Sequence, residues 1–128
     1  LLVNEGGTIR PDIWLAGLDD PASSEPDFNA AVANAPQGAY VIAALHAPGC
    51  FDTVAERAPF VLAGHTHGGQ VRLPPIPVFW LPKECGRYLE GWYEERGSLM
   101  YVSRGIGTSI LPIRFLCRPE LTIITVQP

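Results

Sequence analysis

Two continuously apolar runs, Tyr40-Val41-Ile42-Ala43-Ala44-Leu45 and Phe60-Val61-Leu62-Ala63, constrain the fold of this chain more than any other feature. Apolar residues without polar alternation predict strands covered on both faces. The 13 residues from 47 to 59 connect the two runs. Ala47-Pro48-Gly49 breaks the first strand, Asp52 can cap a helix running through Arg57, and Pro59 closes it. A helix-bearing connection of about a dozen residues is the minimum for joining parallel neighbours. Each run then leads to a histidine, His46 directly after the first and His65 one glycine after the second. Both are therefore predicted at the carboxyl edge of a sheet, where ligand sites of open α/β folds collect.

The rest of the chain fits one α/β domain over residues 1–128. Leu1–Val3 and Thr8–Arg10 read as a hairpin turning at Asn4-Glu5-Gly6-Gly7, and Ile13–Gly17 is another apolar run. Residues 20–26, rich in Pro, Ser and acid, form a loop; Asp27–Asn34 predicts a short helix with Phe28, Ala31 and Val32 on one face. Prolines from Leu73 to Pro82 predict a rim loop, packed down by Phe79, Trp80 and Leu81. Further strands are expected over Arg87–Tyr93, Leu99–Ser103 and Leu121–Val126, the last β-branched and apolar. Trp14, Trp80 and Trp92 read as core or rim packing.

At 47% apolar residues the chain is globular, and a net charge of −4 gives no platform for nucleic acid or an anionic membrane. Three widely spaced cysteines read as free thiols, which favour a reducing compartment; a cytoplasmic location, or one peripheral to the inner membrane, is expected. No apolar run reaches the roughly 18 residues of a membrane span. The chain opens at Leu1 without a Met, so an upstream anchor or export signal stays open.

Two of the three histidines stand in Gly64-His65-Thr66-His67-Gly68-Gly69-Gln70, and His46 lies 19 residues before His65. In an extended segment, alternate residues face the same way with Cα atoms roughly 6.5–7 Å apart, close enough to serve one metal or two adjacent ones. The flanking glycines remove crowding side chains. A single histidine is ordinarily a hydrogen-bonded core or surface residue, but all three on one edge, bracketed by glycine, read as a metal site. Imidazole suits Zn, Fe, Ni and Cu and accompanies oxygen ligands at Mn. Amidohydrolase barrels also use His-x-His but need about 250 residues. Cupins follow it with a nearby ligand glutamate, whereas the first carboxylate after His67 here is Glu84. Gln70, Arg72 and Arg104 are candidate phosphate contacts, with packing or solvation as the other reading. Thr66 reads as structural. Asp19 and Asp20, at a strand end, read as turn caps or outer groups of the site.

Residues 40–72, with Leu45-His46-Ala47-Pro48 and then Gly64-His65-Thr66-His67 after an apolar strand, closely resemble the C-terminal half of calcineurin-like metallophosphoesterases. The similarity is greatest to a bacterial branch with Gly-His-Thr-His-Gly-Gly-Gln and a later Ser-Arg-Gly-x-Gly, here Ser103-Arg104-Gly105-Ile106-Gly107; Leu15–Asp20 also resembles that branch. The resemblance implies part of a four-layer α/β/β/α sandwich with a mixed sheet, this chain being the C-terminal portion of a single domain. It implies hydrolysis of a phosphomonoester or phosphodiester at a dinuclear metal centre. His46 and His65 would bind one divalent ion and His67 the other, the ions being Mn, Fe, Zn or Ni.

The family's N-terminal motifs, Asp-x-His, Gly-Asp-x-x-Asp and Gly-Asn-His-[Asp/Glu], supply the remaining ligands, a bridging aspartate and a histidine assisting the leaving group. None occurs here, and Gly17-Leu18-Asp19-Asp20 has Leu where the second motif needs Asp. The chain is thus expected to be a fragment with a partial or empty metal site, inactive or nearly so alone. Half a sandwich is expected to expose an apolar sheet face and an unpaired edge, leading to homo-oligomers or pairing with the missing N-terminal half. The alternative is a non-catalytic metal-binding or interaction module holding one structural metal through the three histidines.

Overall fold

The two apolar runs become β3 (Tyr40–Leu45) and β4 (Phe60–Ala63), hydrogen-bonded as parallel neighbours with Ile42 opposite Phe60 and Leu45 opposite Ala63. The computed structural model describes residues 1–78 and 81–127; the packing expected of Phe79 and Trp80 lies outside them. The connection holds a short 3₁₀ turn, Pro48–Cys50, and α2 (Phe51–Val54). Pro48, with its fixed φ, starts the turn early, so Asp52 sits inside the first helical turn instead of capping it. The helix stops short of the expected Arg57. Ala55 is extended at ψ 145°, Glu56 takes φ +73°, and the Glu56 N–H donates to Ser98 Oγ at 2.9 Å.

Four parallel strands make the centre of a six-stranded mixed sheet in the order β1-β2-β3-β4-β6-β5. β2 (Ile13–Gly17) lies beside β3, and β6 (Ser98–Val102) beside β4. β1 (Glu5–Arg10) and β5 (Gly91–Glu95) are antiparallel edges. The first hairpin differs from expectation: Leu1–Val3 is no strand, and the chain turns at Pro11-Asp12, not at Asn4–Gly7. Gly6 belongs to the strand because β1 crosses the Trp14 ring there; a Cβ on Gly6 would stand 2.2 Å from Trp14 Nε1.

One sheet face carries the core. Trp14, Ala16, Ala43, Leu45, Val61, Ala63, Met100 and Val102 pack under α1 (Phe28–Val32) and α2. Asp27 starts α1 by accepting from the Ala30 N–H at 3.0 Å, and Trp14 Nε1 donates to Ala31 O at 2.9 Å. Phe51 and Val54 of α2 are fully buried, Phe51 lying edge-on to Tyr88 at 5.8 Å. Each such burial contributes about 1.5–3 kcal/mol.

The other face alternates into Leu15, Tyr40, Ile42, Phe60, Leu62, Leu99, Tyr101 and Trp92. Ile42 and Phe60 are buried, but Leu99 is 39% and Trp92 53% exposed, so covering on both faces is incomplete. Leu121–Val126, expected as a strand, joins no ladder among the described residues. Its start is tethered to β6 by Tyr101, whose hydroxyl donates to Glu120. Val126 and Gln127 line a groove with Ile13 and Tyr40. The described residues thus form an incomplete α/β arrangement of one mixed sheet with few helices, none long and apolar enough to cross a membrane.

Candidate metal centre

β2, β3 and β4 end side by side, and their next residues gather at one edge. The parallel ladder continues past β3 and β4 through the Gly64 N–H, which donates to His46 O at 3.2 Å. This rung brings the His46 and His65 rings together, centroids 4.4 Å apart and planes inclined 56°. From the end of β2, Asp20 faces them, its Oδ2 3.7 Å from His46 Nε2. Partial burial first, then the neighbouring His46 ring, holds the His65 imidazole below its ordinary value, while Asp20 opposes them. His65 is thereby favoured in the neutral, ligating form.

His65 and His67 are not carried by an extended segment. His65 has φ +67°, Thr66 is right-handed, and His67 at φ +49° opens a 3₁₀ turn, His67–Gly69. Thr66 is buried, and its Oγ1 accepts from the Gly68 N–H at 3.0 Å, closing the turn. Left-handed backbone at two non-glycine residues costs on the order of 1 kcal/mol each or more and persists only where the surroundings hold it. The result separates the histidines: His67 turns toward the loop after β6, with Nδ1 3.4 Å from Gly107 O.

That hold is provided by side chains from the 103–117 segment and from Arg72. Arg114 reaches four main-chain carbonyls: its Nη2 donates to Arg104 O at 2.7 Å and Gly107 O at 2.6 Å, with Gly105 O at 3.2 Å, and its Nη1 to His67 O at 3.2 Å. Cys117 Sγ donates toward His67 O and Gly68 O at 3.3 and 3.4 Å. Arg72 Nε donates to Gly68 O at 2.8 Å.

The three candidate phosphate contacts already hold partners within the chain. Gln70 donates from Nε2 to Ser109 O and Leu111 O at 2.9 and 3.0 Å and accepts at Oε1 from the Ser109 N–H at 2.7 Å. Arg72 Nη1 donates to Glu90 Oε1 at 2.8 Å, with Glu90 Oε2 2.6 Å from Nη2. Arg104 Nε donates to Glu120 Oε2 at 2.6 Å and lies 3.3 Å from Glu90. Arg114 and Cys117 were not singled out in the sequence. Neither carries a motif, and carbonyl acceptors leave no mark on residue type.

Imidazole nitrogens beside a carboxylate are a donor set suited to a divalent transition ion. The fit is partial, because among the described residues no group of three or more His, Cys, Asp or Glu side chains converges closely enough to hold one. His46 and His65 are together; His67 shares their edge but is not gathered with them.

The chain is 34% identical over 116 residues to the uncharacterized metallophosphoesterase YkuE of Bacillus subtilis, covering 90% of this chain and 41% of that protein. It is 32% identical over 114 residues to the phosphodiesterase YaeI of Escherichia coli, covering 88% and 38%. A metallophosphoesterase of Aquifex aeolicus is 27% identical over 133 residues, covering 99% and 50%. No family model matches the chain, and no solved structure does. The chain belongs to the calcineurin-like metallophosphoesterase superfamily. It spans about two-fifths of the length of YkuE and YaeI.

Proposed function

We propose that this chain is the histidine-bearing part of a phosphoester hydrolase whose centre holds two divalent ions. The observation that carries this reading is the 4.4 Å approach of the His46 and His65 rings at the ends of adjacent parallel strands. His46 and His65 would hold one ion, with Asp20 beside them, and His67 the other. The ions would be Mn, Fe, Zn or Ni, and would supply electrophilic stabilisation of phosphate charge and an activated water. The chain's own part is to keep His65 neutral and to fix His67 on its turn. Gln70, Arg72 and Arg104 would contact phosphate only by exchanging their present partners.

In this reading the remaining ligands, a bridging aspartate among them, come from outside residues 1–128, as part of a four-layer sandwich completed over the apolar sheet face. The free Cys50, Cys85 and Cys117 suit a cytoplasmic location or one peripheral to the inner membrane. The test is hydrolysis of p-nitrophenyl phosphate and bis(p-nitrophenyl) phosphate in Mn²⁺. The isolated chain is expected to give no turnover above metal alone. The chain extended by the coding sequence upstream of Leu1 is expected to turn over, and to lose that activity on His65→Ala. Turnover by the isolated chain at the rate of intact relatives would refute the division of ligands; an inactive extended chain would refute hydrolysis.

A further inference from the structure

Beside the histidines lies a cleft of about 290 Å³ whose lining includes His65 and His67. Val71, Val78, Pro82, Ile110 and Leu111 make its remaining lining mostly carbon. Apart from the imidazoles, no ionisable side chain lines it among the described residues. The polar group most able to face a ligand, the Gln70 amide, is spent on the wall itself. It donates to Ser109 O and Leu111 O and accepts from the Ser109 N–H, so it clips the 109–111 loop over the cleft. Ile110 and Leu111 remain 85% and 55% exposed at the opening.

A phosphate ester bound at the histidines must send its organic group somewhere, and this cleft begins at the same two side chains. We propose that the cleft is the subsite for an apolar alkyl or acyl group of the substrate, making it a phosphate ester with a lipid-like organic part. The proposal rests on the phosphoesterase reading only for the headgroup. Of the polar lining, the Thr66 hydroxyl is engaged by the Gly68 N–H and the Gln70 amide by the 109–111 loop, which leaves a carbohydrate or nucleoside little beyond the Ser109 hydroxyl to read it, whereas a hydrocarbon chain needs no such group. Gln70, in its present bonds to Ser109 and Leu111, then acts as a positioning residue that shapes the apolar wall.

The experiment uses the chain as it stands. Butyl, hexyl and octyl phosphate, the matching alkanols, and glycerol phosphate are titrated into it, with methyl NMR shifts as readout. Affinity is expected to rise about three- to fourfold per added methylene until the cleft is full. The same increments should appear with the alkanols, and shifts should centre on Val71, Val78 and Leu111. Leu111→Glu, at an exposed position, should abolish the increments while leaving the fold intact by amide spectra. Gln70→Ala should weaken them for the alkanols and the alkyl phosphates alike. Affinity independent of chain length, or shifts centred on Leu62 and Leu99 of the open sheet face and indifferent to Leu111→Glu, would overturn the proposal. The headgroup is read separately: Mn²⁺-dependent binding of glycerol phosphate should vanish in His65→Ala while the alkanol increments stay. Absence of Mn²⁺-dependent glycerol phosphate binding in the unsubstituted chain, with the alkanol increments present, would sink the metal reading and leave the subsite standing.

Discussion

Arg114 directs its guanidinium to main-chain carbonyls of His67, Arg104, Gly105 and Gly107, so one side chain joins the 65–69 turn to the loop after β6. Hydrogen bonds from a charged donor contribute about 1.5–3 kcal/mol each when the acceptor would otherwise go unsatisfied. Arg114→Ala is expected to lower unfolding free energy in urea by about 2–3 kcal/mol and to open residues 104–112 to proteolysis. Lys in its place should recover little, because an ammonium cannot span the same carbonyls. Gly68 is held as firmly: at φ +61°, a Cβ would stand 2.6 Å from Arg104 Cγ and 2.9 Å from Cys117 Sγ. Gly68→Ala should cost about 2 kcal/mol or more. Burial, with a smaller push from Glu84, raises the Cys85 thiol to about 11. Its reaction with a disulfide reagent at pH 8 should therefore be far slower in the folded chain than in guanidinium, and equal rates would contradict its buried placement. His46 and His65 were legible because apolar strand, crossover and glycine all mark the same edge. Asp20 was weighed mainly as a turn cap; its place at the end of β2, beside β3, is the signal that ties it to His46.

At the level of elements, periodicity and connection length were sufficient for β3, β4 and α1. They failed where a tertiary neighbour decided the outcome. The first turn moved to Pro11-Asp12 because Gly6 is needed within the strand to pass Trp14. The apolar, β-branched Leu121–Val126 has strand propensity, but a strand needs a ladder partner, and among the described residues none pairs with it. What holds that segment is Glu120. Burial alone would raise its carboxyl, but hydrogen bonds from Thr122, Tyr101 and Arg104 outweigh this and hold it below its ordinary value of 4.5. A lowered folded value means the contribution is present above that ordinary value and lost as the pH falls through the lowered one. Backbone NMR shifts of residues 121–126 should therefore move toward unfolded-chain values as the pH falls through that lowered value, and Glu120→Gln should produce the same displacement at neutral pH. Equal shifts in both proteins at neutral pH would show that the segment is held elsewhere.

For the molecule as a whole, the two sheet faces differ in kind. One is sealed by helices; the other shows Tyr40, Leu99 and Trp92 to solvent, with Trp92 against Tyr101 at 4.7 Å and Phe60 at 6.1 Å. An apolar row of this sort marks a contact surface. The isolated chain is expected to self-associate through it, with apparent mass in light scattering rising with concentration and falling back to monomer in Leu99→Glu. A monodisperse monomer at high concentration would contradict that. The relatives' greater length and the open histidine edge fit the proposal that the site is completed from outside residues 1–128. Metal content measures that directly. The purified chain and its His65→Ala form would be equilibrated with Mn²⁺ or Zn²⁺, desalted and analysed for metal. Expected is about one ion or fewer per chain, lost on substitution. Two tightly held ions per monomeric chain, or binding unchanged by His65→Ala, would contradict a half-site built on His46, His65 and His67.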